Sequence, residues 1–157
     1  MAHVELSLSE PPTSRALARS PLDNWAAAVA EADEPCLVLD ADGVIVALSA
    51  SCRTLLGLPR PPVAPRSPAG RARPRPPASP GLLHEAIRLL DFSSSGGALG
   101  DGELSKIPPL LALTSGRLSR GLLRVESGDG ACTLDAVATP LLDGRTVVGS
   151  LTFFSAV

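Results

Sequence analysis

Short apolar runs separated by turn residues predict strands in both halves of the chain. In the first half, CLVLD (residues 36–40) and VIVALS (44–49) flank the pair Asp42-Gly43. Glycine accepts the positive φ that a tight turn requires, so this pair predicts a hairpin. In the second half, glycine-containing turns separate three longer runs, at 121–127, 131–142 and 145–154. They predict an antiparallel meander. The apolar face expected for its last strand comprises Val147, Leu151 and Phe153.

Apolar residues spaced three or four positions apart predict helices before and between these strands. The first helix follows Ser20, a residue type that caps helices, and Pro21, which fits a first helical turn. Its apolar stripe contains Trp25, Val29 and Ala32. Two further helices are predicted at residues 82–92 and 107–116. The buried face of the first of these is expected to hold Leu83, Ile87 and Leu90.

Residues 59–80 interrupt this periodic pattern. The segment contains nine prolines and five arginines and has no acidic residue. Proline removes backbone donors and the arginines repel one another, so an extended and flexible segment is expected. Neither half of the chain builds a core alone, since a single hairpin and an uncovered meander are both too small. We therefore predict a disordered tail at 1–20 and one domain at 21–157, interrupted by a flexible insertion at 59–80.

Composition excludes several classes of partner. The 157 residues are 45% hydrophobic, and the formal net charge is -2. No global field therefore attracts nucleic acid or anionic lipid, and the arginine-rich segment has no aromatic residues that stack on bases. No apolar run approaches the ~20 residues of a membrane span, and no signal peptide is recognisable. Three separated cysteines fit no disulfide framework. A soluble cytoplasmic protein, with no nucleic-acid and no membrane partner, is expected.

Two stretches carry a resemblance to a known family. EADEPCLVLDADGVIVALSASCRTLLGL (31–58) and GDGACTLDAVATPLLDGRTVVGSLTFF (128–154) resemble the two ends of the PAS domain. The resemblance covers residues 22–157 and implies an α+β fold. It implies a five-stranded antiparallel sheet in the order 2-1-5-4-3, with short helices across one face and an N-terminal helix. This chain departs from the family at Ser49, where asparagine is usual, and in the insertion, which lengthens the helical middle.

Two residues decide whether the resemblance extends to a cofactor. Flavin-binding relatives carry a reactive cysteine before arginine, but Cys52 directly follows the second strand and lacks the Gln and Asn that hold flavin. We expect Cys52 to be a small apolar helix residue. His84 shares a helix face with Arg88 and Asp91, so it is expected to be exposed, which argues against haem. No catalytic set or metal-ligand cluster is recognisable. No cofactor, no metal and no enzymatic activity are predicted.

These observations predict a stand-alone, non-catalytic PAS-type signalling module that acts in trans through protein contacts and has room for a small ligand. The alternatives are a cofactor-binding sensor, for haem or another small molecule, and a small enzyme on the same fold. A ligand pocket is expected between the sheet and helices 82–92 and 107–116. Its expected lining is Leu83, Ile87, Leu90, Leu110 and Leu113.

A homodimer, or a complex with another signalling protein, is expected to use the N-terminal helix. The expected contacts are Trp25, Val29 and Ala32. Tryptophan is the residue type most enriched among interface anchors. The alternative is that Trp25 covers the protein's own sheet.

Overall fold

A computed structural model describes residues 19–59 and 81–157. The helices are α1 (Pro21–Ala30), α2 (Ala50–Leu55), α3 (Leu83–Ala86), α4 (Asp101–Leu104) and α5 (Pro108–Ser115). The strands are β1 (Cys36–Asp40), β2 (Ile45–Leu48), β3 (Leu89–Leu90), β4 (Ser119–Ser127), β5 (Gly130–Asp143) and β6 (Thr146–Ala156). The predicted tail, except for residues 19 and 20, and the predicted insertion, except for Pro59, lie outside the described residues.

The strands form one antiparallel sheet in the order β2-β1-β6-β5-β4-β3. The five longer strands stand in the predicted order, and the two-residue β3 adds a sixth at the β4 edge. β6 lies between β1 and β5, pairing Cys36 with Phe153 at one end of β1 and Asp40 with Gly149 at the other. The predicted α+β class and sheet order are thus confirmed, with one strand more than expected.

Helix ends follow local chemistry where the sequence offers a cap. The Ser20 hydroxyl accepts from the N–H of Asp23 at 3.1 Å, and the Asp23 carboxylate accepts from the N–H of Ser20 at 3.2 Å. This reciprocal pair fixes the start of α1 as predicted. α5 ends at Gly116, whose φ of 63° is the left-handed conformation that glycine adopts without strain.

The helix predicted at 82–92 is wrong beyond its first turn. α3 ends after Ala86, and Ile87 is already extended, with φ −124° and ψ 127°. Leu89 and Leu90 then pair with β4. The N–H of Glu126 also donates to the carbonyl of Arg88, at 2.9 Å. The reason is tertiary: hydrogen bonds offered by the β4 edge outweigh a helical spacing of apolar residues.

Different helices pack against the two faces of the sheet. The inner face packs against α2, α3 and α5 in the main core, which includes Leu37, Leu39, Leu134 and Phe154. The outer face packs against α1 in a second, smaller cluster, which includes Val29, Val38, Leu141 and Leu151. Apolar residues therefore occupy both faces of β1, which is why CLVLD has a nearly continuous apolar pattern rather than an alternating one.

The apolar face predicted for β6 is only partly correct. Leu151 is buried in the outer cluster, but Phe153, two residues further on, is 45% exposed. Phe154, on the opposite face, fills the main core instead. α1 covers the outer face at Leu151 and leaves Phe153 uncovered. The consequence is a partly open outer face, described below.

Ser49 ties the start of β1 to the start of α2. Its buried hydroxyl accepts from the N–H groups of Cys36 and Cys52, each at 3.1 Å, and donates to the carbonyl of Glu34 at 2.8 Å. One hydroxyl thereby satisfies three backbone groups. This explains how serine serves at a position where the resemblance implies asparagine.

Ser49→Ala is expected to lower the free energy of unfolding by about 2–3 kcal/mol, because it leaves buried N–H and C=O groups without a partner. Urea denaturation followed by circular dichroism measures the loss. Thr54→Ala is the matched control, since the exposed Thr54 hydroxyl bonds only within its own helix, to the carbonyl of Ala50. Equal losses in the two variants would contradict the role given to Ser49.

Candidate functional site

The five residues predicted to line a pocket lie in two places, the main core and the wall of a groove. Leu83 and Ile87 are buried members of the main core, and Leu110 and Leu113 pack against that core. Only Leu90 lines the groove described below. Four of the five residues therefore belong to the core or pack against it.

Small residues of the sheet lie beneath α5. The side chains of Ala136 and Ala138 on β5 are fully buried, as is Ala112 of α5. The hydroxyl of Ser150 on β6 donates to the carbonyl of Pro109 at 3.0 Å. The small side chains and this bond let α5 lie close to the sheet, so its first turn is part of the core rather than the roof of a pocket.

A groove of about 280 Å³ lies beside the β4 edge instead. Its apolar wall comes from β3, the loop that follows it, the start of α5 and β4. Phe92, Leu111 and Leu122 contribute large side chains that are 59%, 37% and 52% exposed. Exposure of this much apolar surface in one place is typical of a contact site.

Charged side chains of both signs surround the groove. Lys106, Arg120 and Arg124 line it together with one acidic residue, Glu103. The Arg120 guanidinium binds both carboxylate oxygens of Asp135, and this hydrogen bonding holds the pKa of Asp135 below its usual value. Asp91 lies between the lining residues Leu90 and Phe92, and its pKa is lowered chiefly by the Ser93 hydroxyl and to a smaller degree by Arg124. Three carboxylates therefore stand beside the three cations.

The residues predicted as partner contacts separate into two environments. Val29 is 3% exposed and belongs to the outer cluster, and Ala32 packs against that cluster. Trp25 is 45% exposed. Phe153 of β6 and Leu122 of β4 are also exposed, and both project from the outer face. The sequence pattern did not predict that Phe153 is exposed, because either of two adjacent phenylalanines fits the buried face of the strand equally well.

The remaining chemical candidates have structural roles. Cys52 is fully buried in the main core, and burial raises the pKa of its thiol to about 12. The thiol is protonated at neutral pH and is therefore not a nucleophile. His84 is exposed, as predicted. The Asp40 carboxylate accepts from the N–H groups of Asp42 and Val44, at 3.0 and 2.9 Å, and so stabilises the turn between β1 and β2.

Metal and membrane sites have no counterpart in the described parts of the chain. Within residues 19–59 and 81–157, no three His, Cys, Asp or Glu side chains gather where they could hold a metal ion. None of the helices in these two ranges has the length and apolar content needed to cross a bilayer.

Solved structures identify the fold. The chain is similar to the PAS domain of a protein from Colwellia psychrerythraea, with 17% identity and a TM-score of 0.53, covering 88% of this chain and 98% of that one. It is also similar to the LOV domain of the blue-light photoreceptor Aureochrome1 in its light state, with 18% identity and a TM-score of 0.52, covering 83% and 86%. No family model and no curated protein matches the chain. The protein has the PAS fold.

Proposed function

We propose that this chain is a non-catalytic signalling module of the PAS type, which acts in trans by contact with a partner protein. The PAS fold supports the class of protein, a signalling module. The partly open outer face of the sheet supports the mode of action, and it is the observation that carries the proposal. A cytoplasmic location fits the free thiols of Cys36, Cys52 and Cys132, because that compartment keeps thiols reduced.

The outer face offers a surface suited to a second copy of the chain. Trp25 stands on the helix that covers part of this face, and Phe153 and Leu122 project from its uncovered part. Large exposed side chains on a structured layer are characteristic of interface anchors, tryptophan above all. A homodimer would cover them, and a related signalling protein is the other candidate partner.

The chemistry of the described side chains supports a role without catalysis. Asp40 stabilises a turn and Asp135 is paired with Arg120. Cys52 is buried and protonated. These groups serve the fold and do not converge on a reacting atom as a nucleophile and its base would. The exposed His84 and the buried Cys52 are both unsuited to hold or react with a haem or flavin.

Small-ligand sensing is the second candidate function, and the groove beside β4 favours it. Ligand sites typically have volumes of roughly 300–1,000 Å³, and the groove of about 280 Å³ lies near the lower limit. Its apolar wall and the cation Lys106 suit a small amphipathic anion. Native mass spectrometry of the purified protein detects such a ligand as a resolvable added mass.

Trp25→Ala is expected to shift the protein from dimer to monomer while its far-UV circular dichroism stays native-like. The loss of one interface tryptophan costs roughly 2 kcal/mol. The variant homodimer loses two of them, about 4 kcal/mol in all, which is roughly 1,000-fold in the dimer dissociation constant. Light scattering across a concentration series measures the shift. Asn24→Ala is the matched control, since Asn24 is an exposed polar neighbour on the same helix.

Two results would contradict the dimer. A wild-type protein that is monomeric at high micromolar concentration would rule out the homodimer directly. An unfolded Trp25→Ala variant would assign Trp25 to the protein's own core. Phe153→Ser then provides a second measurement on the sheet itself, because the Phe153 side chain is largely exposed.

A further inference from the structure

β4 is paired along its whole length on one side only. β5 pairs with every residue of β4, from Ser119 to Ser127, whereas β3 pairs only with Arg124 and Val125. Among residues 19–59 and 81–157, no strand borders residues 119–123 on the other side of β4. We call residues 119–123 the open segment. An unpaired strand edge presents N–H and C=O groups that can pair with a further strand.

The direction of these backbone groups follows from the pairing at the far end of β4. The N–H of Glu126 donates to the carbonyl of Arg88, so Glu126 points its backbone groups toward β3. Alternate residues of an antiparallel strand point their backbone groups to the same side. Arg120 and Leu122 therefore direct their N–H and C=O groups away from β5, to the open side of the segment.

The opposite edge of the sheet, along β2, is partly bonded already. The N–H of Ile45 donates to the carbonyl of Gly81 at 3.2 Å, and the N–H of Leu83 donates to the carbonyl of Gly43 at 3.1 Å. These bonds use backbone groups at the start of the short strand β2. The open segment of β4 is therefore the better place for the sheet to be extended.

The arginines beside the open segment are engaged within their own molecule. The Arg120 guanidinium binds the carboxylate of Asp135, and the Arg124 guanidinium donates to the carbonyl of Ser93 at 3.3 Å. The segment therefore presents its backbone and the half-exposed side chain of Leu122 rather than an unpaired charge. Its partner needs a matching strand edge, not an opposite charge, and a second open segment meets that need.

We propose that the open segment pairs antiparallel with the open segment of a second copy, about a two-fold axis at Gly121. Gly121 is the midpoint of residues 119–123, so the segment is opposed along its whole length by the same residues in reverse order. Arg120 of each copy lies opposite Leu122 of the other, and the two residues exchange both N–H···O=C bonds. Such a contact uses the same surface on both copies and closes at two molecules.

The neighbouring registers fit less well. An axis at Arg120 would place this residue of the two copies directly opposite one another, and like charges at opposed positions are destabilising. An axis at Leu122 would place Arg120 of one copy opposite Arg124 of the other, where Leu90 of β3 already lies. The proposed axis keeps the pairing within the open segment, so it ends where β3 begins.

Side chains on both faces of the joined sheet are compatible with this register. On the outer face, the aliphatic stem of Arg120 lies opposite the exposed Leu122 of the other copy and covers part of it. At the axis, opposed backbones approach to ~4.5 Å between Cα atoms, and Gly121 has no side chain to obstruct them. Phe92 and Leu111 line the groove beside the segment, so a second strand there also covers apolar surface.

Amide exchange of the full chain, measured across a concentration series, tests this pairing at single residues. The N–H groups of Arg120 and Leu122 are expected to exchange roughly tenfold more slowly at high micromolar than at low micromolar protein concentration. The high concentration is needed because five residues a side form a smaller interface than the ~800 Å² per partner of a standard complex.

Leu122→Pro is the variant that removes the pairing. Its missing N–H is the one that faces the open side, so the ladder with β5 is kept, and proline is tolerated on edge strands for this reason. The Arg120 amide is then expected to exchange fast at every concentration. Leu122→Ser is the matched control, because it loses the same apolar side chain but keeps the N–H, and it is expected to retain the slowing. Far-UV circular dichroism checks that both variants fold.

Each outcome decides for or against the edge pairing. Fast exchange of both amides at every concentration in the wild type would overturn it. Slow exchange that does not depend on concentration would assign the open segment to another part of the same chain and overturn it too, as would slowing that persists in Leu122→Pro. If Leu122→Pro does not fold, the wild-type series and the next variant decide.

Trp25→Ala separates this contact from the homodimer proposed through the outer face. Slowing of the Arg120 and Leu122 amides that survives in Trp25→Ala would support the edge pairing, whether or not the outer-face homodimer exists. Slowing that disappears in Trp25→Ala would show that the outer-face contact protects these amides, and it would overturn the edge pairing.

Discussion

Gly149→Ala is expected to lower the free energy of unfolding by about 3 kcal/mol or more. Gly149 lies in the middle of the sheet, opposite Asp40 of β1 and Leu141 of β5. A Cβ added there would overlap the carbonyl oxygen of Leu39 and come within 2.7 Å of the Leu22 side chain. The first clash is with backbone in a central strand pair, which cannot move without breaking the ladder. Urea denaturation measures the loss.

Gly128→Ala is the control for this prediction. Gly128 lies between β4 and β5, its φ is not in the left-handed range, and an added Cβ would meet no atom within 4 Å. The same chemical change is therefore expected to be nearly neutral there. If the Gly149 variant lost no more stability than the Gly128 variant, β1, β6 and α1 could not be packed as closely as described.

Stability is expected to fall as the pH rises from about 9 toward 12, and Cys52 is expected to be a principal cause. Burial raises the pKa of the Cys52 thiol from an ordinary 9.0 to about 12. A raised pKa means that the folded state holds the thiol proton more tightly than the unfolded state does. The stability that Cys52 contributes is therefore complete below pH 9, and it is lost as the pH rises through the pKa of the folded state. The expected slope is about 1.4 kcal/mol per pH unit. The chain has no tyrosine and one lysine, so few other side chains titrate in this range.

The Cys52→Ser variant isolates this contribution, because a serine hydroxyl does not ionise in this range. The slope of unfolding free energy against pH should be shallower in Cys52→Ser than in the wild type, whatever the variant's absolute stability. The slope will not vanish, since burial also raises the pKa of Cys36. Cys132→Ser, at a half-buried position of β5, is the control. Equal slopes in all three proteins would contradict the assignment to Cys52.

Local chemistry made much of the fold predictable. The turn after β1 was predictable because Gly43 supplies the positive φ and Asp40 accepts from the backbone within the turn. The ends of α1 and α5 were predictable because Ser20 and Gly116 are strong caps. β3 was not predictable, since its two leucines continue a helical spacing and become a strand only where β4 offers hydrogen bonds.

The candidate sites were less predictable, because they depend on what covers each surface. A pattern of residues shows that Phe153 or Phe154 must face the core, but the extent of α1 decides which side of the sheet stays open. The groove joins side chains that are distant in sequence, such as Phe92, Leu111 and Leu122. The sequence shows that Ser49 departs from the PAS pattern. Its three backbone partners, however, follow only from the approach of residues 34–36 to α2.

The position of β6 in the sheet also bears on how the chain is synthesised. β6 is the last described strand along the chain, yet it joins β1 to β5 at the centre of the sheet. Its partner β1 has left the ribosome more than a hundred residues earlier, and pairing of such distant segments is slow because a long loop must close first. A nascent chain therefore keeps both edges of this gap exposed until β6 emerges, and the complete sheet cannot form before then.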